Sequence, residues 1–328
     1  MPGACSSGAT AMKRHPLFIM LGCLLLVLLL ALSLGQQPIN LLRMDELQLK
    51  ILLELRLPRV VVALLMGAAL GVAGAILQGV FRNPLADPYV LGTSSGAALA
   101  AAFGLLASQG SATWLVPSLA LVGALVTSGV VVALGRDAWG VRAERLLLSG
   151  VGIGFFLSAI LMLVMSLAQA DGVKRALLWM AGDLAGADWS LVPWASLLMV
   201  LGFVLGLSRR RALNALSLGD ELAFGLGFEP GRERMLLVLA AALLTAAAVA
   251  LGGIVGFVGL MVPHGVRVLV GADARRVLPL AAVGGGMLLC LADTLGRSLV
   301  PPMELPAGVV TALIGAPWFL VMLRRGIR

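Results

Sequence analysis

Lysine is rare in this sequence: Lys13, Lys50 and Lys174 are the only lysines among 328 residues. None of them stands in a G-x-x-x-x-G-K-[ST] pattern, in which a glycine-rich backbone cradles the phosphates of a nucleotide and the lysine reaches the terminal ones. The sequence therefore excludes a P-loop in this chain.

Metal-binding side chains are also scarce. The histidines are His15 and His264, and the cysteines are Cys5, Cys23 and Cys290, which form no C-x-x-C pair. Two separated histidines cannot build a multi-histidine metal centre without carboxylate help. The cysteine spacing indicates neither a thiolate site nor a disulfide framework. We therefore expect no directly ligated metal and no cofactor bound by this chain.

Charge is sparse, since 12% of the residues are charged and 60% are apolar, with a mean hydropathy of +1.04. A soluble domain has about 25% charged residues. Apolar runs of about 18 residues, long enough to cross a bilayer, recur throughout. The alternating pattern of a membrane barrel is absent, so the spans must be helical. The sequence predicts an all-α polytopic membrane protein with one domain over 1–328 and ten spans, at 17–34, 59–81, 92–107, 115–135, 144–168, 190–208, 234–252, 254–264, 277–296 and 306–323.

The net charge of +8 could suggest nucleic acid as a partner. With the N-terminus inside the cell, however, most basic residues fall in cytoplasmic segments, as the positive-inside rule requires. Membrane orientation therefore explains the basicity, and we expect no nucleic-acid binding. Lys13 and Arg14 precede a first span that resembles a signal peptide but has no A-x-A cleavage site, so we expect it to stay uncleaved. Both termini are predicted to be cytoplasmic.

The stretch FRNPLADPYVLGTSSGA (81–97) interrupts the apolar pattern with two prolines and several polar residues. Irregular backbone at membrane depth is tolerated only where it packs against protein or lines a watery cavity. Gly92 to Gly96 also match G-x-S-x-G, and His264 could serve as a base for Ser94. The strand and helix that a nucleophile elbow needs are not indicated, so close packing is the favoured interpretation.

The longest cytoplasmic segment is RRRALNALSLGDELAFGLGFEPGRER (209–234). Apolar groups surround Asp220 and Glu221, and Gly219 lies at the centre, which predicts two short helices separated by a glycine turn. A connector that skims the membrane would show this pattern. So would a helix that inserts into the groove of a partner protein.

Three arginines lie on the outer side, against the orientation bias. Arg56 and Arg59 are at the outer end of the second span, and Arg297 is at the outer end of the ninth. Each could be an interfacial arginine that extends towards the headgroups, and Asp293 and Glu304 could pair with Arg297. As a set, the arginines also suggest a docking face for an acidic partner, which would guide its encounter and register.

Four long segments together resemble one family. They are RLPRVVVALLMGAALGVAGAILQGVFRNPLADPYVLGTSSGA (56–97), LSLGDELAFGLG (216–227), GGIVGFVGLMVPHGVRVLVGADARRVLP (252–279) and ADTLGRSLVPPMELPAGVVTALIGAPWF (292–319). They resemble the permease subunits of ABC importers for iron–siderophore complexes, haem and vitamin B12, and the resemblance covers essentially the whole chain. LLWMAGDLAGADW (177–189) is more similar to siderophore and vitamin B12 permeases than to haem permeases.

The resemblance implies a fold like that of the vitamin B12 importer permease, working as a homodimer or close heterodimer in the bacterial inner membrane. Two cytoplasmic ATPase subunits would use ATP, and a periplasmic binding protein would deliver the ligand. Arg56, Arg59 and Arg297 would meet acidic residues of the binding protein. The ATPase would dock on Leu216, Leu218, Gly219, Asp220, Glu221, Leu222, Ala223, Phe224 and Gly225. The translocation path, along the dimer interface, is assigned to Gln78, Asn83, Pro84, Pro88, Gly92, Thr93, Ser94, Ser95, Met162 and Met165.

Two other functions are open at this point. A proton-coupled secondary transporter would use carboxylates inside the membrane, whereas Asp87, Asp293 and Glu304 are predicted at the ends of spans. An intramembrane hydrolase would use Ser94 and His264. We expect neither, and no catalytic residue in this chain.

Overall fold

The computed structural model describes residues 16–35, 39, 44–108, 114–137, 140–300 and 302–324. Within these ranges the chain is mostly helical, with 3₁₀ and π turns, short connecting stretches and one antiparallel hairpin whose strands are β1 (Arg136–Asp137) and β2 (Gly140–Val141). The predicted all-α class is therefore confirmed. Cys5, Lys13, Arg14, His15 and both chain termini lie outside the described residues, and so does any prediction made for them.

Each of the ten predicted spans corresponds to a helix. These helices are α1 (Pro16–Ser33), α3 (Leu57–Val80), α4 (Thr93–Ser108), α5 (Leu115–Leu134), α6 (Ala143–Leu167), α8 (Val192–Ser208), α11 (Pro230–Gly252), α12 (Val258–Val270), α13 (Ala274–Ser298) and α14 (Ala307–Arg324). The connecting helices are α2 (Glu46–Ile51), which continues through a π turn (Leu52–Arg56) into α3, together with α7 (Ala170–Met180), α9 (Arg210–Leu218) and α10 (Asp220–Gly225).

Length and hydropathy alone identify five membrane-crossing helices among the described residues, namely α2–α3 together, α5, α6, α11 and α13. A sixth candidate is α8 with α9, which bend by 58° at their junction. The remaining four apolar helices, α1, α4, α12 and α14, span 10–17 residues when only residues with described side chains are counted. Short spans are compatible with a bilayer when neighbouring protein covers their ends.

The eighth span was predicted in the wrong place. The sequence indicated 254–264, whereas α12 begins at Val258 and ends at Val270. Gly253 (φ 77°) ends α11, and Phe257 adopts φ 68°, a left-handed conformation that is uncommon for a non-glycine residue. Gly252 and Gly256 consequently do not lie on one helix, and a Cβ placed at Gly256 would meet nothing within 4 Å.

The centre of the fold is α3, which packs against α11, α12 and α13. Gly67 lies against the backbone of Gly285, and Gly71 lies against Ala281, so closely that a Cβ at either glycine would overlap the facing carbonyl. Gly67 and Gly71, four positions apart on one face of α3, thus allow the backbones of α3 and α13 to approach closely. By contrast α6 is largely uncovered, with Phe155, Phe156 and Met162 more than 60% exposed.

Candidate functional site

The cytoplasmic segment forms the two predicted short helices. Gly219 separates α9 from α10 with φ 126°, a conformation that favours glycine. Leu218, Leu222, Phe224 and Leu226 are each more than half exposed. A cluster of large apolar side chains exposed to water is costly unless another surface covers it. We call the surface of these four residues the apolar docking face.

Two residues assigned to ATPase docking are placed otherwise. Leu216 and Ala223 are completely buried, because they lie on the inner face of the amphipathic helices, like Leu213 beside Gly79. They attach the segment to the protein core and do not lie on its exposed surface. In this conformation these two positions are covered, and the docking assignment of the segment stays a prediction.

Polar contacts fix the segment to its neighbours. Asn214 donates to Asp273 Oδ1 at 2.9 Å and accepts from the Ala274 N–H at 2.9 Å, which joins α9 to the start of α13. Arg209 pairs with Glu233 at 3.0 Å. The sequence does not predict these contacts, since nothing in the local pattern distinguishes the side chains from ordinary cytoplasmic polar residues.

Arg234 makes a further attachment. This side chain is 3% exposed, and its Nη2 lies 2.6 Å from Asp220 Oδ1 on α10. Its Nη1 donates to the Val141 carbonyl at 2.7 Å. The sequence offered no signal for this role beyond a basic residue on the expected side of the membrane.

The three outer arginines lie in one cluster with two carboxylates. Arg59 donates to Asp293 Oδ1 at 2.9 Å and pairs with Glu304 at 2.6 Å. Arg297 Nε lies 3.1 Å from Asp293 Oδ2, as an ion pair without hydrogen-bond alignment. Arg56 donates to the Leu32 carbonyl at 2.8 Å, at the end of α1. We call these five charged residues the outer charge cluster.

Little of the outer charge cluster's positive charge reaches the surface. The side chains of Arg59 and Arg297 are 11% and 5% exposed, while Glu304 is 31% exposed. The cluster's three arginines and Glu304 line a cavity of about 510 Å³ together with Gln48 and Ile51. In this conformation the arginines stabilise the junction of α1, α3 and α13, so their docking role stays a prediction.

The polar stretch after α3 is a compact connector. Asn83 Oδ1 accepts from the Leu85 N–H at 2.9 Å, and Asp87 Oδ1 accepts from the Tyr89 N–H at 2.9 Å. The second contact caps a 3₁₀ turn (Pro88–Leu91), which ends at Gly92 with φ 70°. Removal from water raises the pKa of the Asp87 carboxyl from 3.8 to about 6.

The residues assigned to the path divide into two groups. Gln78, Pro88, Gly92 and Thr93 are buried, while Asn83 and Met162 are exposed. Pro84, Ser94, Ser95 and Met165 are half-buried. Contacts within the protein occupy these buried positions. The Gln78 side chain donates to the Gly259 and Leu260 carbonyls of α12 at 3.2 Å, and Gly92 ends the 3₁₀ turn. In this conformation the four buried residues form part of the packed wall, and their assignment to the path stays a prediction.

The connector also contacts the uncovered helix α6. A Cβ at Gly150 would overlap the Val90 carbonyl, and a Cβ at Gly154 would lie 3.6 Å from Ser95 Oγ. Small residues on both sides allow this approach. The connector that contains Ser95 therefore packs against α6, the helix that contains Met162, although the two residues are 67 positions apart in the sequence.

No Ser–His pair is assembled. Within the described residues no hydrogen bond joins Ser94 to His264, whose ring instead makes an edge contact with Trp318, with 5.8 Å between the ring centroids. The described ranges also contain no group of three His, Cys, Asp or Glu side chains placed to hold a metal ion.

The sequence matches the FecCD transport family over residues 23–325. This chain belongs to the FecCD transport family. The match extends across nine of the ten spans and most of α1.

The relatives of this chain are named for the transport of several different ligands. The FecCD-family chain is 42% identical to the hemin transport system permease protein HmuU of Yersinia pestis, over 94% of this chain and 96% of that protein. It is 41% identical to the Fe(3+) dicitrate transport system permease protein FecD of Escherichia coli, over 84% and 85%. It is 40% identical to the cobalamin import system permease protein BtuC of Halobacterium salinarum, over 82% and 72%.

A solved structure supports the same fold. The FecCD-family chain is similar to a metal-chelate type ABC transporter in an inward-facing conformation, with a TM-score of 0.85 and 30% identity. The alignment covers 95% of this chain and 100% of the other. The predicted fold and family resemblance are therefore confirmed.

Proposed function

We propose that this chain is the permease subunit of an ABC importer that carries a metal chelate inward across the bacterial inner membrane. The observation that carries this function is family membership over nearly the whole chain, with relatives named as transport or import system permease proteins for hemin, ferric dicitrate and cobalamin and a similar solved structure of an ABC transporter. The ligand class is a ferric siderophore or a cobalamin-like chelate, with haem as a further member. The termini lie in the cytoplasm, as the distribution of basic residues indicates.

The energy source is a separate ATPase. The sequence has no P-loop, and the apolar docking face offers exposed side chains on the cytoplasmic side, where Leu222 and Phe224 are 58% and 70% exposed. An apolar helix surface of this kind fits a groove on a partner protein. Two ATPase subunits would serve two permease copies, with 209–234 as the coupling segment. The chain itself performs no covalent chemistry and needs no cofactor.

The second permease copy would cover α6. Phe155, Phe156 and Met162 leave an apolar face on this helix that the chain itself does not bury. The half-buried Ser94, Ser95 and Met165 lie beside that face. A path between two copies would thus be lined by small and apolar groups, which suits a bulky ligand held by few specific contacts.

A periplasmic binding protein would dock near the outer charge cluster. Because Arg59 and Arg297 are engaged internally, an acidic partner would have to compete for them or pair with them after a conformational change. Charge reversal at Arg56 and Arg59 tests this contact. Docking predicts lost stimulation of the ATPase in protein that still folds, and unchanged stimulation would contradict it.

The proposed function is tested by reconstitution in liposomes with the ATPase and the binding protein. Ferric siderophore, ferric citrate, cobalamin and haem are offered separately, with and without internal ATP. We expect ATP-dependent accumulation of at least one chelate. Accumulation driven by a proton gradient without ATP would instead establish a secondary transporter. Loss of function in Ser94→Ala with unchanged folding would favour the hydrolase.

A further inference from the structure

We propose that Arg234 transmits the movement of α10 to α6 by holding Asp220 and the backbone of Val141 on one guanidinium group. This inference rests on the proposed function, because it concerns how ATPase movement at the apolar docking face reaches the translocation path. It assigns a positioning role to a residue at the end of the 209–234 segment that belongs neither to the apolar docking face nor to the residues assigned to the path.

The geometry of Arg234 suits a link between two elements. It lies in the first turns of α11, is 3% exposed, and directs Nη2 to Asp220 Oδ1 at 2.6 Å and Nη1 to the Val141 carbonyl at 2.7 Å. A guanidinium is planar and presents several donors in a fixed fork, so it holds two acceptors at a set separation. Lysine, with a single charged nitrogen on a flexible stem, does not impose that separation.

Electrostatics makes the link resistant to opening. Asp220 is 47% exposed and begins the short helix α10, whereas Arg234 is fixed within the protein. If α10 moved away alone, it would leave a buried cation without its carboxylate, which is strongly unfavourable. Movement of α10 and of the surroundings of Arg234 is therefore coupled.

The second acceptor leads directly into α6. Val141 lies in β2, is 2% exposed, and is separated from the start of α6 at Ala143 by one residue. A Cβ at Gly140 would lie only 2.9 Å from the Cα of Gly231, so the hairpin also packs tightly on the start of α11. With so short a connection, a displaced hairpin carries the first turn of α6 with it.

The first half of α6 contacts the polar connector. Gly150 packs on the Val90 carbonyl, and Gly154 lies beside Ser95. The contacts thus run from Asp220 through Arg234 and Val141 to α6 and then to the half-buried serine of the polar connector. Packed interiors transmit displacement because they are nearly incompressible.

The test measures how many ATP molecules are hydrolysed for each chelate molecule taken up by the reconstituted transporter. For Arg234→Gln we expect the ATPase to copurify and hydrolyse ATP while uptake per ATP falls about tenfold, a typical size for coupling between sites. Arg234→Lys retains the charge and should give a smaller fall. Arg276→Gln is the matched control, since it removes an exposed arginine from the cytoplasmic end of α13, and its ratio should equal that of the wild type.

A double substitution separates transmission from simple stability. Asp220→Ala alone should lower uptake per ATP, and Arg234→Gln combined with Asp220→Ala should be no worse than Arg234→Gln alone, since both act through one link. A wild-type ratio in folded Arg234→Gln protein would overturn the proposal, as would independent, multiplying effects of the two substitutions. Absence of ATP-dependent uptake in the wild type would instead refute the proposed function.

Discussion

Tyr89 and Val255 join two interruptions of the helix bundle through a pair of hydrogen bonds. The Tyr89 hydroxyl donates to the Val255 carbonyl at 3.1 Å and accepts from the Val255 N–H at 3.0 Å. Val255 lies in the non-helical stretch between α11 and α12, where these backbone groups have no helical partners. The only tyrosine of the chain thus satisfies backbone groups that would be costly to leave unpaired within a bundle.

Tyr89→Phe removes both of these hydrogen bonds while keeping the ring. We expect the free energy of unfolding to fall by about 1–3 kcal/mol, because a buried donor and a buried acceptor lose their partner. Thermal unfolding of the purified protein measures the loss. Thr245→Val is the control, since its buried hydroxyl bonds only within its own helix, to the Ala241 carbonyl at 2.7 Å. An equal effect of the two substitutions would contradict a special role for the Tyr89 contact.

Asp293 is the carboxylate on which the outer charge cluster depends. Asp293→Ala leaves Arg59 and Arg297 buried without their shared partner, so we expect a loss of about 3–5 kcal/mol and poor recovery of folded protein. The control is Glu304→Gln, at a more exposed position whose pair with Arg59 should contribute about 1 kcal/mol or less. Near-normal stability of Asp293→Ala would argue against the stabilising role described here.

Leu222 and Ala223 are neighbours with opposite environments, 58% and 0% exposed. Leu222→Asp should leave the fold intact and abolish copurification of the ATPase, because it places a charge on the apolar docking face. Ala223→Asp should instead impair folding, since it buries an unpaired carboxylate. Copurification and melting of both variants check this division. Full ATPase binding by Leu222→Asp would contradict the proposed docking face.

Asp87 is expected to make stability depend on pH. Because burial raises its pKa in the folded state to about 6, above the ordinary 3.8, the folded protein binds this proton more tightly than the unfolded chain. Its contribution to stability is therefore greatest below about pH 4 and is lost as the pH rises to about 6, a change of up to about 3 kcal/mol.

Asp87→Asn removes the buried charge and retains an oxygen for the Tyr89 N–H. We expect it to melt at a higher temperature than the wild type at pH 7.5, with less change between pH 5 and pH 7.5. Asp188→Asn is the matched control, because Asp188 accepts from the Ser190 N–H at 2.6 Å in a similar turn but is exposed. If both variants changed the pH dependence of the melting temperature equally, burial of Asp87 would not be its cause.

The sequence predicted the helices well because each one needs only a local property, an apolar run of sufficient length. The exception, at 254–264, is informative. Its apolar residues continue through Gly253–Phe257, and the break there depends on backbone conformation and on Tyr89, which is distant in the sequence. Hydropathy contains no signal for such a break.

The functional surfaces were predictable as segments but not as individual side chains. The two cytoplasmic helices follow from the glycine at 219 and the apolar groups around it, yet the alternation of exposed Leu222 with buried Ala223 depends on what lies beneath them. Likewise, the outer arginines stand out as charges on the unexpected side, but the carboxylate that engages Arg59 is 234 residues away.

The sequence by itself determined that this protein is a helical, multi-pass membrane protein, since composition and apolar run length are properties of the chain alone, and its resemblance to known permeases indicated the family. Only the tertiary structure decided which polar groups are paired and which apolar groups are exposed. Arg234 illustrates the difference. Its burial and its two acceptors, Asp220 and Val141, arise from contacts among three separate elements, and no local pattern encodes the low-dielectric site that they form.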